Sequence, residues 1–401
     1  MTKSIVLKFG GSCLSNPKDV LKAAKKVANE VNSGKRVMVV VSALTGMTDE
    51  LLNASKKTDV RNDEMDEILS HGERATTRLM AGALKSLGVN AIDIDPTSKN
   101  WPIITDSKFG EAEIKLKETE KRVKNSILPL MRKGRVPVVP GFIGMTEKGK
   151  ITTLGRGGSD ITAVVLGSNI DADEVVFVKD VGGILTADPK QVSNTEKIDA
   201  LDAEEVYALT LAGAKVLHPK VLSYKKNSTV LRVVGFDDKD LSGGTVINGE
   251  LKTGLQTNLH GKELSMITLV GEEASNQKLG GEVLSTLSST KAKVLGVVIE
   301  GSSLLLYVQS ASGLVEQLHK MIRTKKIAKA IHCIDSIAMI TVSGSQLEKI
   351  PGIVNVIIEP LAENGVNLFG VLTISSSVRL FIPWSDRERT LSLIKSKLEK
   401  T

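Results

Sequence analysis

Cysteine is nearly absent from this sequence: Cys13 and Cys333 are the two it has, far apart and with no CxxC or Cys/His cluster around either. That spacing argues against a disulfide framework and against a structural zinc site, and both thiols read as reduced packing residues. Aromatic residues make up 3% of the chain, which leaves little material for stacking nucleic-acid bases. The balance is basic, with a formal charge of +7, yet acids are interleaved with the lysines, as in Lys115 to Arg122. The excess reads as solvated helix faces and a field suited to anionic substrates, not as a nucleic-acid footprint. No run approaches the ~18 apolar residues of a membrane helix, and Lys8 interrupts the opening segment before a signal-peptide core could form. The expectation is a cytoplasmic protein without nucleic-acid or membrane partners. Also missing are a Walker A loop, the HRD and DFG signatures of protein kinases, and a GxGxxG fingerprint.

What is there has a clear grammar. A chain of 401 residues exceeds one ordinary core, so two or three domains are expected. Ile5 to Phe9 reads as a buried strand, followed by Gly10-Gly11 and by Asn16-Pro17, a helix cap with proline at the first helical position. Apolar residues at 20, 23, 24, 27 and 31 keep helical spacing until Gly34, and Arg36 to Ser42 is a β-branched run without polar alternation. Further strands are expected at 91–94, 136–140 and 174–178. Strand, glycine loop, helix and strand in succession describe an α/β domain with a mostly parallel sheet between helix layers, predicted over residues 1–250.

After residue 260 the rhythm changes. Strands at 265–270, 294–299 and 304–308 alternate with helices at 279–291 and 314–322. The order repeats from 337, with a helix ending near Asn364-Gly365, strands at 367–374 and 378–382, and a closing helix at 387–398. Two tandem βαββα units predict ferredoxin-like domains over 262–330 and 335–401.

Two glycine loops could hold phosphate: Lys8-Phe9-Gly10-Gly11-Ser12 after the first strand, and Leu154-Gly155-Arg156-Gly157-Gly158-Ser159-Asp160 before a helix expected from Ile161. Glycine lets backbone amides approach anionic oxygens, and a helix N-terminus adds its dipole. Either loop alone could be a plain strand-to-helix turn.

Together with Ser70-His71-Gly72-Glu73, Gly141-Phe142-Ile143-Gly144, Thr186-Ala187-Asp188-Pro189 and Gly213-Ala214-Lys215-Val216-Leu217-His218-Pro219, in that order, these loops resemble the aspartate kinases of the amino-acid kinase family. The tandem βαββα tail is similar to that family's paired ACT domains. The resemblance implies phosphorylation of the L-aspartate β-carboxylate by ATP with Mg²⁺, the first step toward lysine, threonine and methionine. It implies Lys8 as the catalytic cation and Asp160 as the group that organises the lysines, although a plain helix N-cap would also account for an aspartate there. It implies aspartate binding by Ser42, Thr48, Glu73, Arg156 and Ser159, with Arg156 on the α-carboxylate and Glu73 on the ammonium. Nucleotide contacts fall to Lys8, Gly10, Gly11, Gly157, Gly158, Lys179, Asp180, Leu185, Lys190, Lys215 and Val216. No dedicated metal ligands are assigned, and His218 is expected to pack or cap.

The chain departs from the family in carrying Lys179 where many relatives have threonine, and Leu185 where they have tyrosine. The first ACT-like unit has Leu279-Gly280-Gly281 in place of Pro-Gly, whereas the second keeps Ile350-Pro351-Gly352. Asn364 and Asn367 are the candidate contacts for a lysine or threonine effector. Edge-to-edge pairing of ACT units predicts a homodimer or a higher homo-oligomer. The competing readings are acetylglutamate kinase, glutamate 5-kinase and a non-catalytic amino-acid sensor.

Overall fold

The computed structural model describes every residue except 1, 59, 252–253, 272–276, 291, 310–312, 345–346, 348–349, 375 and 400–401, together with the side chains of 277 and 278. Its contacts divide the chain into two compact units, Met1–Leu251 and Lys252–Thr401.

The first unit runs β1 (Ser4–Phe9), α1 (Pro17–Asn32), β2 (Arg36–Val41), α2 (Met47–Lys56), α3 (Asn62–Ser86), β3 (Ala91–Asp93), β4 (Ile104–Thr105), α4 (Leu116–Arg122) and α5 (Leu128–Arg132). It continues through β5 (Val136–Pro140), β6 (Ile143–Thr146), β7 (Ile151–Thr153), α6 (Gly158–Asn169), β8 (Glu174–Lys179), β9 (Ala200–Asp202), α7 (Ala203–Leu211), α8 (Pro219–Leu222), β10 (Val230–Gly235) and β11 (Thr245–Asn248). Asn16 caps α1 as its sequence predicts, its side-chain oxygen accepting from the N–H groups of Lys18 at 2.9 Å and Asp19 at 3.2 Å. Eight strands form the main sheet in the order β3-β5-β2-β1-β8-β10-β11-β9, parallel throughout except for β10 against β11. A small sheet of β4, β6 and β7 lies apart from it.

β1 lies within the sheet, between β2 and β8, and its residues alternate between two cores. Val6 joins the core on the α6 side, with Val175 and Phe177 of β8 and Ile161, Val164 and Val165 of α6. Ile5, Leu7 and Phe9 join the core on the α1 side, with Val20, Ala24, Val176 and Val178. This two-sided burial explains why the strands read as unbroken apolar runs. It also fixes two charged residues: Lys8 and Lys179 continue the alternation of Val6 and Phe177, so both side chains emerge on the face covered by α6, at the carboxyl ends of neighbouring strands.

The second unit runs β12 (Gln256–Leu259), β13 (Leu264–Val270), α9 (Gln277–Ser288), β14 (Lys293–Glu300), β15 (Ser303–Gln309), α10 (Leu314–Lys325), β16 (Ala330–Ser343), α11 (Ile353–Glu363), β17 (Gly370–Ile374), β18 (Ser377–Pro383) and α12 (Arg387–Leu398). Both βαββα repeats form, and they share one sheet. β16 is longer than the sequence reading: residues 331–334, left between the repeats, continue the strand. Its first half, up to Ile337, pairs antiparallel with β13 and completes the first repeat. Its second half pairs with β18 on one side and, through 340–343, with β12 on the other. Ser336, in the left-handed region at φ 62°, marks the change of neighbours. The second repeat therefore takes its fourth strand from before the first repeat, an arrangement that local periodicity does not encode. The edge-to-edge pairing of repeats occurs here within one chain, through β13 and β16.

The helices of each repeat cover one face of the sheet, α9 and α10 over Ile267, Leu304 and Leu306, and α11 over Ile340 and Leu380. Between the repeats, Tyr307 of β15 stacks on Phe381 of β18 with ring centroids 3.6 Å apart. The Tyr307 hydroxyl donates to the Phe369 carbonyl at 2.9 Å. Asn364 caps α11: its Nδ2 donates to the Pro360 carbonyl at 2.9 Å, and Arg389 donates to its backbone oxygen at 3.0 Å. The Asn364 carboxamide is thus engaged in capping, whereas Asn367 is exposed.

Candidate active site

In an open α/β sheet, ligands gather beyond the carboxyl ends of the strands, where the strand order reverses direction. Here the reversal lies at β1, flanked by β2 and β8, and a cavity of about 470 Å³ opens there. Its walls come from the loop after β1, the loop from β2 into α2, the middle of α3 and the start of α6.

A buried ion cluster forms the floor. Lys8 Nζ lies 2.6 Å from Asp160 Oδ1, and Lys179 Nζ lies 3.8 Å from Asp160 Oδ2. Burial by itself raises the Asp160 pKa, but the two ammonium groups outweigh it and hold the carboxyl below its ordinary range. Burial lowers the Lys179 pKa, with repulsion from Lys8 adding to it and attraction to Asp160 opposing it. The Lys179 ammonium also donates to the carbonyl oxygen of Val216. Two cations on one buried carboxylate leave the cluster with an excess positive charge, which suits a polyanionic ligand.

Asp160 is not the helix cap. α6 starts at Gly158 with Gly157 as N-cap, so Asp160 lies inside the first turn, where its side chain turns back to the lysines. Gly157 adopts φ 75°, and a Cβ there would stand 2.4 Å from the Cβ of His218. His218 itself caps α8, accepting from the Lys220 N–H at 3.4 Å. Of the four glycine amides expected around phosphate, that of Gly158 is already donated to the Gly155 carbonyl at 3.0 Å.

Glu73 reaches the opposite wall from α3. Its neighbour Gly72 permits this, because a Cβ at that position would lie 2.8 Å from Ala43 Cβ and push the helix off the β2 loop. Oε1 of Glu73 accepts from the Ala43 N–H at 3.2 Å, and Oε2 is buried with no hydrogen-bond partner among the described residues. Desolvation pushes its pKa up to about 7, against smaller opposing effects of the Ala43 bond and of Lys8. A buried carboxylate with one oxygen unmatched is poised for a cationic ligand.

Nine of the expected residues line the cavity: Lys8, Gly11, Ser42, Thr48, Glu73, Gly157, Gly158, Ser159 and Asp160. Gly10, Arg156, Lys179, Asp180, Leu185, Lys190, Lys215 and Val216 do not. Arg156 is exposed between two glycines of the wall and makes no ion pair among the described residues. Lys190 and Lys215 are also exposed. Sequence reasoning passed over Thr45 and Asp49, which also line the cavity, and gave no role to Ser12 and Phe142, which stand in its motifs and line it too. Thr45 could have been found, since it stands between Ser42 and Thr48 in a hydroxyl-rich loop after a parallel strand. Its hydroxyl donates to the Gly11 carbonyl at 2.6 Å and ties the two loops together. Phe142 held no chemical signal; its left-handed φ of 68° is fixed by hydrogen bonds to Thr162 and Leu154.

Residues 3–235 match the model of the amino acid kinase family. An aspartokinase of Bacillus sp. (strain MGA3) is 30% identical over 98% of this chain and 97% of its own length. Among solved structures, an aspartate kinase from Synechocystis has a TM-score of 0.81 at 24% identity, covering 99% of this chain and 70% of its own. E. coli aspartokinase III in complex with aspartate and ADP has a TM-score of 0.56 at 24% identity, covering 99% and 100%. The same enzyme with lysine and aspartate scores 0.55 at 23% identity, covering 98% and 99%. With a family match over more than half of its length and a full-length relative at 30% identity, the chain belongs to the amino acid kinase family, on its aspartokinase branch.

Proposed function

We propose that this chain transfers the γ-phosphoryl group of ATP to the side-chain carboxylate of L-aspartate, giving 4-phospho-L-aspartate and ADP, with the Lys8–Asp160–Lys179 cluster at the centre of the reaction. The observation that carries the assignment is that cluster, buried at the carboxyl ends of β1 and β8, whose Lys8 and Asp160 line the same cavity as the unmatched carboxylate of Glu73.

The aspartate side chain is already ionised at neutral pH, so no base is needed to activate it. The task is to bring two anions together and to stabilise charge on the transferring group. Lys8 does this from the strand end, and Lys179 neutralises phosphate charge from the adjacent strand. Asp160 takes no proton; with its carboxyl held ionised it fixes the direction of both ammonium groups. Glu73 accepts the α-ammonium of the substrate, Arg156 pairs bidentately with the α-carboxylate, and Ser42, Thr48 and Ser159 supply hydroxyls. The described residues gather no group of three carboxylate, imidazole or thiolate donors, and both Asp160 oxygens face lysines. This donor set fits a Mg²⁺ ion that draws its ligands chiefly from the triphosphate, where it would offset phosphate charge.

With Mg²⁺, ATP and L-aspartate the purified protein forms an acyl phosphate that hydroxylamine traps as a hydroxamate. The same assay run with L-glutamate and N-acetylglutamate gives little product. Turnover of N-acetylglutamate without turnover of aspartate would reassign the substrate, because that substrate has no free α-ammonium for Glu73.

The second unit supports a regulatory role in the cytoplasmic enzyme, with lysine or threonine as effector and Asn367 at the junction of α11 and β17 as a contact. E. coli aspartokinase III, which shares this fold, was crystallised with lysine. A homodimer would use the outer strands of this sheet, β14 and β17. In separate titrations with lysine and threonine, the effector raises the KM for aspartate by roughly 5- to 150-fold for a coupling of ~1–3 kcal/mol. No response to either would leave the unit a structural role alone.

A further inference from the structure

Asp66 is buried, at 1% exposure, in the first part of α3, and the mechanism makes no use of it. Its two carboxylate oxygens accept three hydrogen bonds: Oδ2 from the Thr153 N–H at 2.8 Å and from the Gly110 N–H at 2.9 Å, and Oδ1 from the Thr153 hydroxyl at 2.8 Å. Thr153 ends β7 and leads directly into Leu154-Gly155-Arg156-Gly157, one wall of the cavity. Its carbonyl in turn accepts from the Ala112 N–H at 2.9 Å, so Asp66 and Thr153 together hold the 106–112 loop. That loop lies against the same wall, since a Cβ on Gly155 would meet the Glu111 side chain at 3.2 Å and the Gly110 carbonyl at 3.3 Å. Asp63, near the start of α3, adds an exposed ion pair to Lys150 of the β6–β7 turn at 2.8 Å.

Glu73 stands on the same helix two turns further on, where the 3.6-residue period returns it to nearly the same face as Asp66. One rigid helix therefore carries both the anion offered to the substrate ammonium and the anchor of the loop that presents Arg156. We infer that Asp66 is a positioning residue that fixes the Arg156 loop relative to Glu73 and to Lys8, and so sets how far the bound α-carbon stands from the phosphoryl centre; that distance, and not the α-groups the two substrates share, decides between aspartate and the longer glutamate. The inference rests on the substrate reading above. Asp66 touches neither substrate nor nucleotide; it acts by holding the loop at one distance from the helix. Holding reacting groups to within an ångström is worth large factors in rate, and loss of the anchor lets the loop drift.

The test compares kcat and KM for aspartate, glutamate and ATP in the wild type, Asp66→Asn, Asp66→Ala and Thr153→Val. Asparagine can keep all three contacts, its oxygen accepting from the two backbone N–H groups while its amide donates to the Thr153 hydroxyl. Asp66→Asn is therefore expected to stay within about threefold of the wild type. Asp66→Ala loses every contact and raises the KM for aspartate by about 10- to 100-fold with the KM for ATP unchanged. The ratio of kcat/KM for aspartate to that for glutamate falls by about tenfold or more. A merely structural role would lower the amount of active enzyme and leave that ratio intact. If Asp66→Ala does not fold, Thr153→Val decides, because it removes the hydroxyl contact alone: a rise of about threefold in KM for aspartate supports the inference. An unchanged aspartate-to-glutamate ratio in Asp66→Ala, or an unchanged KM in Thr153→Val, overturns it. A wild type that does not phosphorylate aspartate overturns the substrate reading instead.

Discussion

Lys8→Ala is expected to lower kcat by about 10²–10³ while leaving the KM for aspartate close to that of the wild type. Lys8 projects from near the end of a strand whose other residues are buried; its ammonium lies 2.6 Å from Asp160, and a Cβ on Gly10 would stand 3.4 Å from it. A cation held this rigidly pays no reorganisation cost when charge shifts on the transferring phosphoryl group, which is why its loss falls on the chemical step. The substitution also removes the nearer partner of a buried carboxylate, leaving Lys179 at 3.8 Å as the remaining cation. Breaking a buried pair from one side typically costs about 3–5 kcal/mol, so the melting temperature drops as well. Rates must be taken well below the variant's own melting range, with the folded fraction measured by circular dichroism. A fully folded Lys8→Ala enzyme whose kcat stays within a few-fold of the wild type would remove Lys8 from the transition state.

Glu73→Gln is expected to produce opposite effects on activity and on stability. In the folded protein burial raises the Glu73 pKa to about 7, from an ordinary value of 4.5. The folded state thus binds this proton more tightly than the unfolded chain does. The contribution to stability is complete below about pH 4.5 and is lost as pH rises through about 7, with a total on the order of 3 kcal/mol. Glutamine carries no charge to desolvate and keeps an oxygen for the Ala43 N–H. At pH 8 the variant should therefore be more stable than the wild type by on the order of 2 kcal/mol, read from denaturant midpoints.

Catalysis depends on the ionised form. In the wild type, kcat/KM for aspartate rises with pH through about 7, since that profile reports the free enzyme and the α-ammonium of the substrate needs an anion to meet it. Glu73→Gln flattens this step and lowers kcat/KM at pH 8 by roughly 10- to 150-fold, the equivalent of a charge-assisted contact of ~1.5–3 kcal/mol. Arg156→Lys serves as the contrast: it raises the KM for aspartate about tenfold or more by removing the planar fork, and it keeps the pH step. A Glu73→Gln enzyme that retains the step would place the titrating group elsewhere, with Asp160 excluded because its carboxyl is held low.

Much of this protein was legible in its sequence, for reasons that can be named. Strands covered on both faces must be apolar throughout, so β1, β2, β5 and β8 appeared as β-branched runs. Asn16-Pro17 announced α1 because capping is a local contact between adjacent residues. Both glycine loops border the cavity, and they were legible because close approach of backbone leaves a compositional trace.

Other features depend on contacts distant in the chain. Lys179 read as a departure from the pattern, and tertiary structure made it the second cation on Asp160, because parallel pairing of β1 with β8 brings residues 8 and 179 to adjacent strand ends. The elevated pKa of Glu73 comes from its burial in the fold, which no local pattern announces, and the Ala43 N–H, thirty positions earlier, opposes it. Asp66 gave no signal in sequence; its partners, Gly110 and Thr153, come from a loop and from the end of β7. The largest surprise was β16, which serves both repeats, with β12 completing the second from before the first. Sequence by itself determined the central strands of the first unit, its first helix and the two repeats, all of which rest on neighbours within a few residues. Tertiary structure alone decided which charges were buried together and which strand completed which sheet, because desolvation and strand pairing are properties of surfaces that exist only once the chain has folded.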